Sequence, residues 1–437
     1  MVRLEEHKQI TEESAIEKFP SVPRVYIPLA QHLGKTCEAC VKPQDSVSLG
    51  QKIGTVQAHV FSPVHASVSG KVVAIQQYPH PVLGRAQAIV IDSDGQDAAA
   101  NRTLQTENRV NSFAAEQIRN IVFEAGIVGM GGASFPSHIK LNPPKPVATL
   151  IINGAECEPY LTGDYRLMIE RTSEIIKGIE LVAKCLGVRN VYIAIEDNKP
   201  QATAKFRAVS GGRLAVSGRK PNTANRTPQL IVLKSQYPQG GEKQLIKNVL
   251  RKEVPSGKLP FDIGVVVHNV ATVYAIYEAV YLGKPLYERV VTVAGSCVVN
   301  PKNLLVRLGT PVKELINYCG LKEKPAKIII GGPMMGIAQY NLDAPVIKSS
   351  NGVLCLNKEE VKTVEEGVCI RCGRCVEYCP AGLMPCLISM ASEKEKWDLA
   401  KVYGCIDCIE CGLCAYVCPQ SRDMVQAIKK AKLKVSK

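Results

Sequence analysis

The chain has 437 residues, of which 46% are hydrophobic, and its formal net charge is +14. This hydrophobic share supports folded cores, so the composition excludes a disordered chain. No apolar run reaches the ~18 residues of a membrane span, and the N-terminus (MVRLEEHKQITEES) is too polar for a signal peptide. Aromatic residues are only 5%, and no recognition-helix motif occurs, so nucleic acid is disfavoured as the partner of this basic chain.

Cysteine is the most informative residue type. Seventeen cysteines in a chain with no predicted secretory signal favour metal ligation over a disulfide scaffold. Ten of them lie between Cys369 and Cys418. Residues 369–379 are CIRCGRCVEYC, residues 408–418 are CIECGLCAYVC, and proline follows each run. Both runs have the C-x2-C-x2-C-x3-C-P spacing of bacterial ferredoxins.

The ferredoxin spacing predicts how these cysteines divide between two [4Fe-4S] clusters. Three thiolates, each separated from the next by two intervening residues, bind one cubane, and the fourth thiolate points to the other cubane. Cluster one is assigned to Cys369, Cys372, Cys375 and Cys418, and cluster two to Cys408, Cys411, Cys414 and Cys379. Zinc is disfavoured because its knuckles pair two C-x2-C units across a longer loop. Cys405 has the spacing of a substitute ligand, although it and Cys386 are better explained as buried thiols.

A glycine-rich segment follows a predicted helix earlier in the chain. Residues 111–125 have helical spacing of apolar residues, and IVGMGGASFPSHIKL comes next. Its Gly129, Gly131 and Gly132 do not form G-x-G-x-x-G, and the segment follows a helix, which disfavours a Rossmann site. A glycine loop can bind phosphate through exposed N–H groups, and Lys140 can add a positive charge. A simple turn is the alternative.

Four apolar segments are predicted strands of a mainly parallel sheet. Each ends in a polar or glycine loop before a helical stretch, at Asn153, Glu196, the YPQGG segment and Asn269. The carboxyl ends of parallel strands share one edge of a sheet, where ligands bind. Glu156, Glu158 and Asp164 crowd the loop after the first of these strands. Solvated carboxylates in a polar loop are the alternative explanation.

The longer motifs resemble a known family. GMGGASFPSHIKL and NGAECEP resemble the flavin- and NADH-binding subunit of respiratory complex I, and resemble still more closely the RnfC subunit of the Rnf electron-transport complex. YPQGGEKQLI, EVPSGKLPFDIGVVVHN, IIGGPMMGIAQ and the double ferredoxin run share the likeness, which extends from about residue 24 onward. The Phe-x-Gly-Gly-x-His-Pro stretch with which members of this family begin is absent.

The resemblance implies a site for FMN and NADH. The flavin and nucleotide loop would be formed by Gly129, Gly131, Gly132 and Phe135, and Lys140 would meet the FMN phosphate. Two asparagines, Asn153 and Asn269, would bind beside the flavin. Two glutamates, Glu156 and Glu158, would act as catalytic residues at the flavin and nicotinamide. The chemistry is sensible, because a cation and bare amides suit a phosphate and a carboxylate accepts the nicotinamide amide N–H.

The resemblance also implies a multidomain α/β and α+β fold. An N-terminal extension (1–24) precedes a barrel-sandwich β domain (25–108), a complex-I-51-kDa-like α/β flavin domain (109–285), a small β-grasp (SLBB) domain (286–350) and a helical ferredoxin-like domain with two [4Fe-4S] clusters (351–437). The barrel-sandwich domain lacks a modifiable lysine in the hairpin that biotinyl and lipoyl carriers use. It is therefore interpreted as a structural or docking unit.

Cys37 and Cys40 form a C-x-x-C pair that the family likeness does not explain. This pattern occurs in redox dithiols, and two thiols without a redox role are the alternative. If the pair is a dithiol, the chain resembles a soluble paralogue such as the proline-reductase-associated electron carrier.

The predicted function is NADH oxidation by an iron–sulfur flavoprotein, as in Rnf-type ferredoxin:NAD oxidoreductase. Electrons would pass from NADH through FMN to two [4Fe-4S] clusters. The clusters would then pass them to a ferredoxin-like or reductase partner. One alternative is a soluble paralogue that donates to a dedicated reductase through Cys37 and Cys40. Another is a non-enzymatic ferredoxin-like carrier. The predicted location is cytoplasmic, or peripheral on the cytoplasmic face of the inner membrane through Rnf membrane subunits.

Overall fold

The computed structural model describes residues 2–100, 104–209, 215–217, 228–361 and 365–435. After a 3-10 turn (Lys8–Ile10) and a first strand, β1 (Ile16–Lys18), the chain enters the barrel-sandwich domain. Its strands are β2 (Arg24–Pro28), β3 (Glu38–Ala39), β4 (Ser46–Val47), β5 (Lys52–Thr55), β6 (Val64–His65), β7 (Gly70–His80) and β8 (Gly84–Ser93). They form two antiparallel sheets, β2-β8-β7-β4 and β3-β5-β6.

The flavin domain is a parallel sheet between helices, as predicted. Its elements are α1 (Glu107–Ser112), α2 (Ala115–Glu124), α3 (Ser137–Lys140), β9 (Thr149–Gly154), α4 (Gly163–Glu170), α5 (Thr172–Leu186), β10 (Asn190–Glu196), α6 (Pro200–Val209), β11 (Ala215–Ser217), β12 (Gln229–Leu233), α7 (Glu242–Leu250), a 3-10 turn (Pro260–Ile263), β13 (Val265–Asn269) and α8 (Val270–Leu282). The strand order is β11-β12-β10-β9-β13, and every pair is parallel.

The apolar strand sequences follow from burial of this sheet on both faces. Leu150 and Ile152 of β9 pack into the core beneath α5 and α8, whereas Ile151 between them packs toward α7 on the other face. Because every strand pair is parallel, the carboxyl ends of all strands lie at one rim of the sheet. The predicted binding residues lie at that rim.

The β-grasp domain differs from the predicted boundaries. Its elements are β14 (Glu288–Ala294), β15 (Lys302–Arg307), α9 (Val312–Cys319), β16 (Lys327–Ile330), β17 (Ile337–Ala338) and β18 (Gly352–Leu356). The sheet order is β1-β15-β14-β18-β16-β17. β18, which the prediction assigned to the ferredoxin domain, is central in this sheet, so the boundary moves from residue 350 to beyond Leu356. β1, assigned to an N-terminal extension, pairs in parallel with β15.

The ferredoxin domain is helical, with α10 (Arg374–Glu377), α11 (Pro385–Glu393), α12 (Trp397–Val402), a 3-10 turn (Cys405–Asp407), α13 (Leu413–Tyr416) and α14 (Met424–Val435). Helices α11 and α12 are separated at Glu395, which takes a left-handed conformation at φ +53°. In the described part of the chain, every helix is too short or too polar to cross a membrane.

Candidate active site and cluster sites

The glycine loop (residues 126–136) lies at the carboxyl end of β13. Asn269 ends that strand, and its Oδ1 accepts the backbone N–H groups of Ala271 (2.9 Å) and Thr272 (3.4 Å), which caps α8. The loop contacts this cap on both sides: Met130 N donates to Thr272 Oγ1 at 2.9 Å, and a Cβ on Gly131 would lie 2.8 Å from Asn269 Nδ2. Glycine is required there because Asn269 fills the space.

The same loop offers the donors that a flavin phosphate needs. Gly131 and Gly132 are exposed, and a Cβ on Gly132 would meet nothing within 4 Å, so backbone at this point is open to a ligand. Phe135 is half-buried, and its carbonyl accepts Gly129 N at 2.9 Å, which closes the loop. Lys140 places its ammonium 2.6 Å from Glu242 Oε1. Bare amides with a nearby ammonium fit the phosphate of FMN.

Asn153, at the end of β9, joins two of the predicted motifs. Its Nδ2 donates to the Gly240 carbonyl at 2.8 Å, and its Oδ1 accepts Ala155 N at 3.0 Å. Gly240 N in turn points to Cys157 Sγ at 3.3 Å, and a Cβ on Gly240 would lie 2.4 Å from the Ala155 carbonyl oxygen. The NGAECEP and YPQGG segments therefore form one rigid wall of the rim.

Glu156 binds the start of α4. Its two oxygens accept the N–H groups of Asp164 (2.9 Å) and Tyr165 (3.1 Å), where the helix dipole favours a carboxylate. The Asp164 side chain accepts Asn269 Nδ2 at 2.5 Å. Burial, reinforced by the Glu156 charge, raises the pKa of Asp164 to about 7. Asn269, Asp164 and Glu156 thus form a half-buried polar chain behind the glycine loop, and the sequence did not predict this link.

Glu158 has a different setting from the predicted one at the nicotinamide. Its carboxylate accepts Met334 N (3.1 Å) and Met335 N (3.0 Å) from the IIGGPMMG segment and lies 3.4 Å from the Tyr237 hydroxyl. A Cβ on Gly332 would lie 2.2 Å from Glu158 Oε2, which explains a glycine there. These contacts make Glu158 an anchor between the flavin and β-grasp domains, so they favour a structural role over the predicted catalytic one.

The anchor predicts a pH-dependent stability. Burial raises the pKa of Glu158 to about 7 from its ordinary 4.5, so between these values the folded chain holds a proton that the unfolded chain has released. Stability should fall as pH rises through this window, by up to about 1.4 kcal/mol per pH unit. We expect the advantage of wild type over Glu158→Gln in melting temperature to shrink between pH 5.5 and 7.5. The exposed Glu377→Gln is the control, and a constant wild-type advantage over Glu158→Gln would contradict the assignment.

The four cysteines assigned to cluster two come together. Cys379, Cys408, Cys411 and Cys414 line one cavity with Leu383 and Ile428, which supports the crossed ligand assignment. Backbone N–H groups already point at two of the sulfurs: Leu383 N lies 3.4 Å from Cys379 Sγ and Glu410 N lies 3.4 Å from Cys408 Sγ. Such donors tune the potential of an iron–sulfur cluster. The cavity fits a [4Fe-4S] cluster in its donors and its lining.

The two runs share one backbone conformation. Arg371 and Glu410 occupy the same place in each run and have φ of +56° and +58°, and Gly373 and Gly412 have φ of +78° and +81°. Strained residues that recur at equivalent positions indicate a function that both loops share.

Among the residues that the structure describes, no three Cys, His, Asp or Glu side chains are arranged to hold a single metal ion.

Cluster one is the more open site. Cys372 is exposed and Cys375 is buried. Cys369 and Cys386 lie near Cys375, whose pKa is raised to about 11 by burial first and then by the Cys386 thiol. Val368 and Ile370 beside these ligands are 85% and 60% exposed. Apolar residues around an exposed ligand are typical of a surface that meets a partner.

Cluster two lies against the flavin domain. The Tyr237 hydroxyl of the YPQGG segment donates to the Cys411 carbonyl at 2.8 Å, and Gln244 Nε2 donates to the Pro380 carbonyl at 2.9 Å. A Cβ on Gly412 would lie 2.8 Å from the Met334 carbonyl oxygen. Tyr237 is buried and contacts both Glu158 and Cys411. Sequence reasoning missed this residue, because nothing in the local pattern marks a tyrosine between two domains.

Cys37 and Cys40 flank the two-residue strand β3 and differ in burial. Cys37 is buried, with its Sγ 3.3 Å from the Ser62 carbonyl, and Cys40 is exposed. Burial raises the pKa of Cys37 to about 11, whereas redox thiols have a lowered pKa. This arrangement favours thiols without a redox role.

Comparisons with known families agree with the four domains. Residues 2–96 match the RnfC barrel sandwich hybrid domain, residues 122–278 match the Nuo51 FMN-binding domain, residues 290–338 match the SLBB domain and residues 362–383 match a 4Fe-4S binding domain. The first match includes residues 2–24, which the sequence prediction set apart as an extension.

Relatives with names resemble most of the chain. The C subunit of the proton-translocating ferredoxin:NAD(+) oxidoreductase complex of Clostridium ljungdahlii is 45% identical, over 92% of this chain and 85% of the relative. The C subunit of the Na(+)-translocating ferredoxin:NAD(+) oxidoreductase complex of Acetobacterium woodii is 42% identical, over 94% of this chain and 90% of the relative. An NAD+-reducing [NiFe]-hydrogenase in the H2-reduced state shares the fold with a TM-score of 0.50 at 16% identity, over 77% of this chain and 66% of that one.

Proposed function

The chain belongs to the RnfC family, and on that premise we propose that it is the NADH-oxidising subunit of an ion-translocating ferredoxin:NAD oxidoreductase complex. The observation that carries the proposal is the contact between the two redox sites: the cavity of cluster two packs on the flavin domain through the Tyr237–Cys411 hydrogen bond of 2.8 Å. A rim built for a flavin and a cavity built for a cluster are adjacent in one chain.

Each residue of the rim has a proposed task. The glycine loop and Lys140 would hold the FMN phosphate, and Asn153 and Asn269 would orient the flavin from two strand ends. Glu156 fixes the start of α4 and thereby Asp164, which holds Asn269. When bound, FMN and the two [4Fe-4S] clusters supply the conversion between a two-electron donor and single electrons.

The positions of the clusters support a direction along the chain. Cluster two adjoins the flavin domain, whereas Cys372 of cluster one is exposed and is flanked by the exposed Val368 and Ile370. We therefore place the exchange of electrons with a partner protein at cluster one. The burial of Cys37, which raises the pKa of its thiol, supports this exit over a dithiol exit.

We also propose that the chain attaches to its complex at the membrane through partner subunits, on the cytoplasmic side. The relatives are named as subunits of ion-translocating complexes, and ion translocation requires membrane subunits. Co-purification of the chain with membrane proteins from its native host should follow; quantitative recovery of an active chain without partners would favour the soluble paralogue.

Anaerobic addition of NADH tests the electron-transfer function. We expect the flavin absorbance to bleach first and the cluster absorbance to follow, because the proposed route takes electrons from NADH to the flavin before they reach the clusters. Dithionite is the control, since it reduces flavin and clusters without the nucleotide. Protein that responds to dithionite but not to NADH would leave only the non-enzymatic carrier.

A further inference from the structure

The N-terminal strap, defined as residues 2–11, lies across the rim of the flavin sheet and reaches the ferredoxin domain. Its first contact is a pair of backbone hydrogen bonds, from Val2 N to the Tyr237 carbonyl (3.1 Å) and from Tyr237 N to the Val2 carbonyl (2.7 Å). Leu4 is buried at 9% exposure and packs with Tyr237, Cys411 and Leu413. One leucine of the strap therefore shares a buried cluster with the flavin-domain tyrosine and with residues of the segment that carries a proposed ligand of cluster two.

The middle of the strap is fixed by polar contacts. The Glu6 carbonyl accepts Tyr160 N at 2.8 Å, and Glu6 Oε2 accepts Asn198 Nδ2 at 2.6 Å. The ring of His7 stacks on Tyr160 with centroids 4.6 Å apart. These contacts hold the strap to the loop after β9 and to the end of β10, which are two of the strand ends that form the rim.

Lys8 is the strongest attachment. Its ammonium is buried and donates to the carbonyl oxygens of Glu156 (2.8 Å), Glu158 (2.8 Å) and Leu161 (2.6 Å). Three carbonyls use all three of its N–H bonds, which satisfies a buried cation. The segment that Lys8 binds includes Glu156, which fixes α4, and Glu158, which anchors the β-grasp domain.

We propose that the strap positions cluster two against the flavin rim: Lys8 attaches the strap to the flavin domain, and Leu4 clamps the segment of Cys411 and Leu413 onto Tyr237. The inference rests on the proposed function, and it makes Leu4 a positioning residue for electron transfer between the two sites. Other contacts across this junction include the hydrogen bonds of Tyr237 and Gln244, and the strap adds an apolar contact beside them.

The test compares Leu4→Asp with Leu4→Ala, in the full chain loaded with flavin and clusters. Anaerobic stopped-flow mixing with NADH reports flavin and cluster reduction separately. We expect flavin reduction at the wild-type rate and cluster reduction slowed about tenfold in Leu4→Asp, because small misplacements of reacting groups cost this much or more. Leu4→Ala should show a smaller slowing. Leu83→Asp is the matched control, since Leu83 is 61% exposed on the β7–β8 hairpin.

Hydrogen exchange at the Tyr237 amide is the second measurement, because this amide donates to Val2 and reports release of the strap without any turnover. Faster exchange together with slower cluster reduction supports the proposal. Faster exchange with an unchanged cluster rate overturns it, and so does unchanged exchange in Leu4→Asp. If wild-type flavin is not reduced by NADH, the proposed function fails, while dithionite-reduced samples and the exchange data still report whether the strap holds the two domains together.

Discussion

Cys414→Ala is expected to remove cluster two and leave the flavin site intact. Cys414 is buried in the cavity that Cys379, Cys408 and Cys411 also line, so a missing thiolate leaves the cubane three ligands in an apolar pocket. The variant should lose roughly half of its iron and acid-labile sulfide, since one of two equal clusters is lost. NADH should still bleach the flavin, but reduction of cluster one should fall sharply, because we propose that cluster two lies between the flavin and cluster one.

Cys405→Ala provides the matched control for the cluster assignment. Cys405 is fully buried in the same helical core and lies three residues before Cys408, so it tests both the structural effect of losing a buried thiol and its role as a substitute ligand. We expect full iron content in this variant. Iron loss in Cys405→Ala, with full content in Cys414→Ala, would reverse the assignment of the two cysteines.

Gly131→Ala is expected to weaken FMN binding about 5- to 150-fold, as overpacking in a filled site costs about 1–3 kcal/mol. The added Cβ would lie 2.8 Å from Nδ2 and 2.9 Å from Cβ of Asn269. Asn269 cannot move aside easily, because it caps α8 and donates to Asp164. The glycine loop must therefore shift away from the strand end where the flavin is proposed to bind.

Gly132→Ala separates this effect from a general effect of alanine in the loop. A Cβ at this position would meet nothing within 4 Å, and both glycines are exposed. The measurement is FMN retained after gel filtration and the Kd of FMN from fluorescence titration of flavin-depleted protein. Equal FMN affinity in the two variants would contradict the placement of the flavin loop against Asn269.

The sequence determined the parts of this protein that depend on local patterns. Apolar runs of strand length, each followed by a polar or glycine loop, predicted a parallel sheet with one binding rim, and the structure has that sheet. The spacing of the cysteines predicted the ligand sets of the two clusters, because cubane geometry restricts the residues between neighbouring ligands. The structure brings the four cysteines of cluster two to one cavity, and the ligand sets themselves stay a prediction. Gly131 and Asn269 were predicted separately as binding residues, and the structure brings them into contact.

The tertiary structure alone decided the contacts that join distant segments. Lys8 stands in a polar N-terminal stretch without periodicity, yet it binds a carbonyl 153 residues away in sequence. Glu158 was predicted at the nicotinamide, yet its carboxylate is occupied by backbone N–H groups of Met334 and Met335. β18 was assigned to the ferredoxin domain because an apolar strand does not specify which sheet it joins. Local sequence sets the conformation of a segment and the residue types it offers, but its partner is selected by packing and hydrogen bonding across the whole fold.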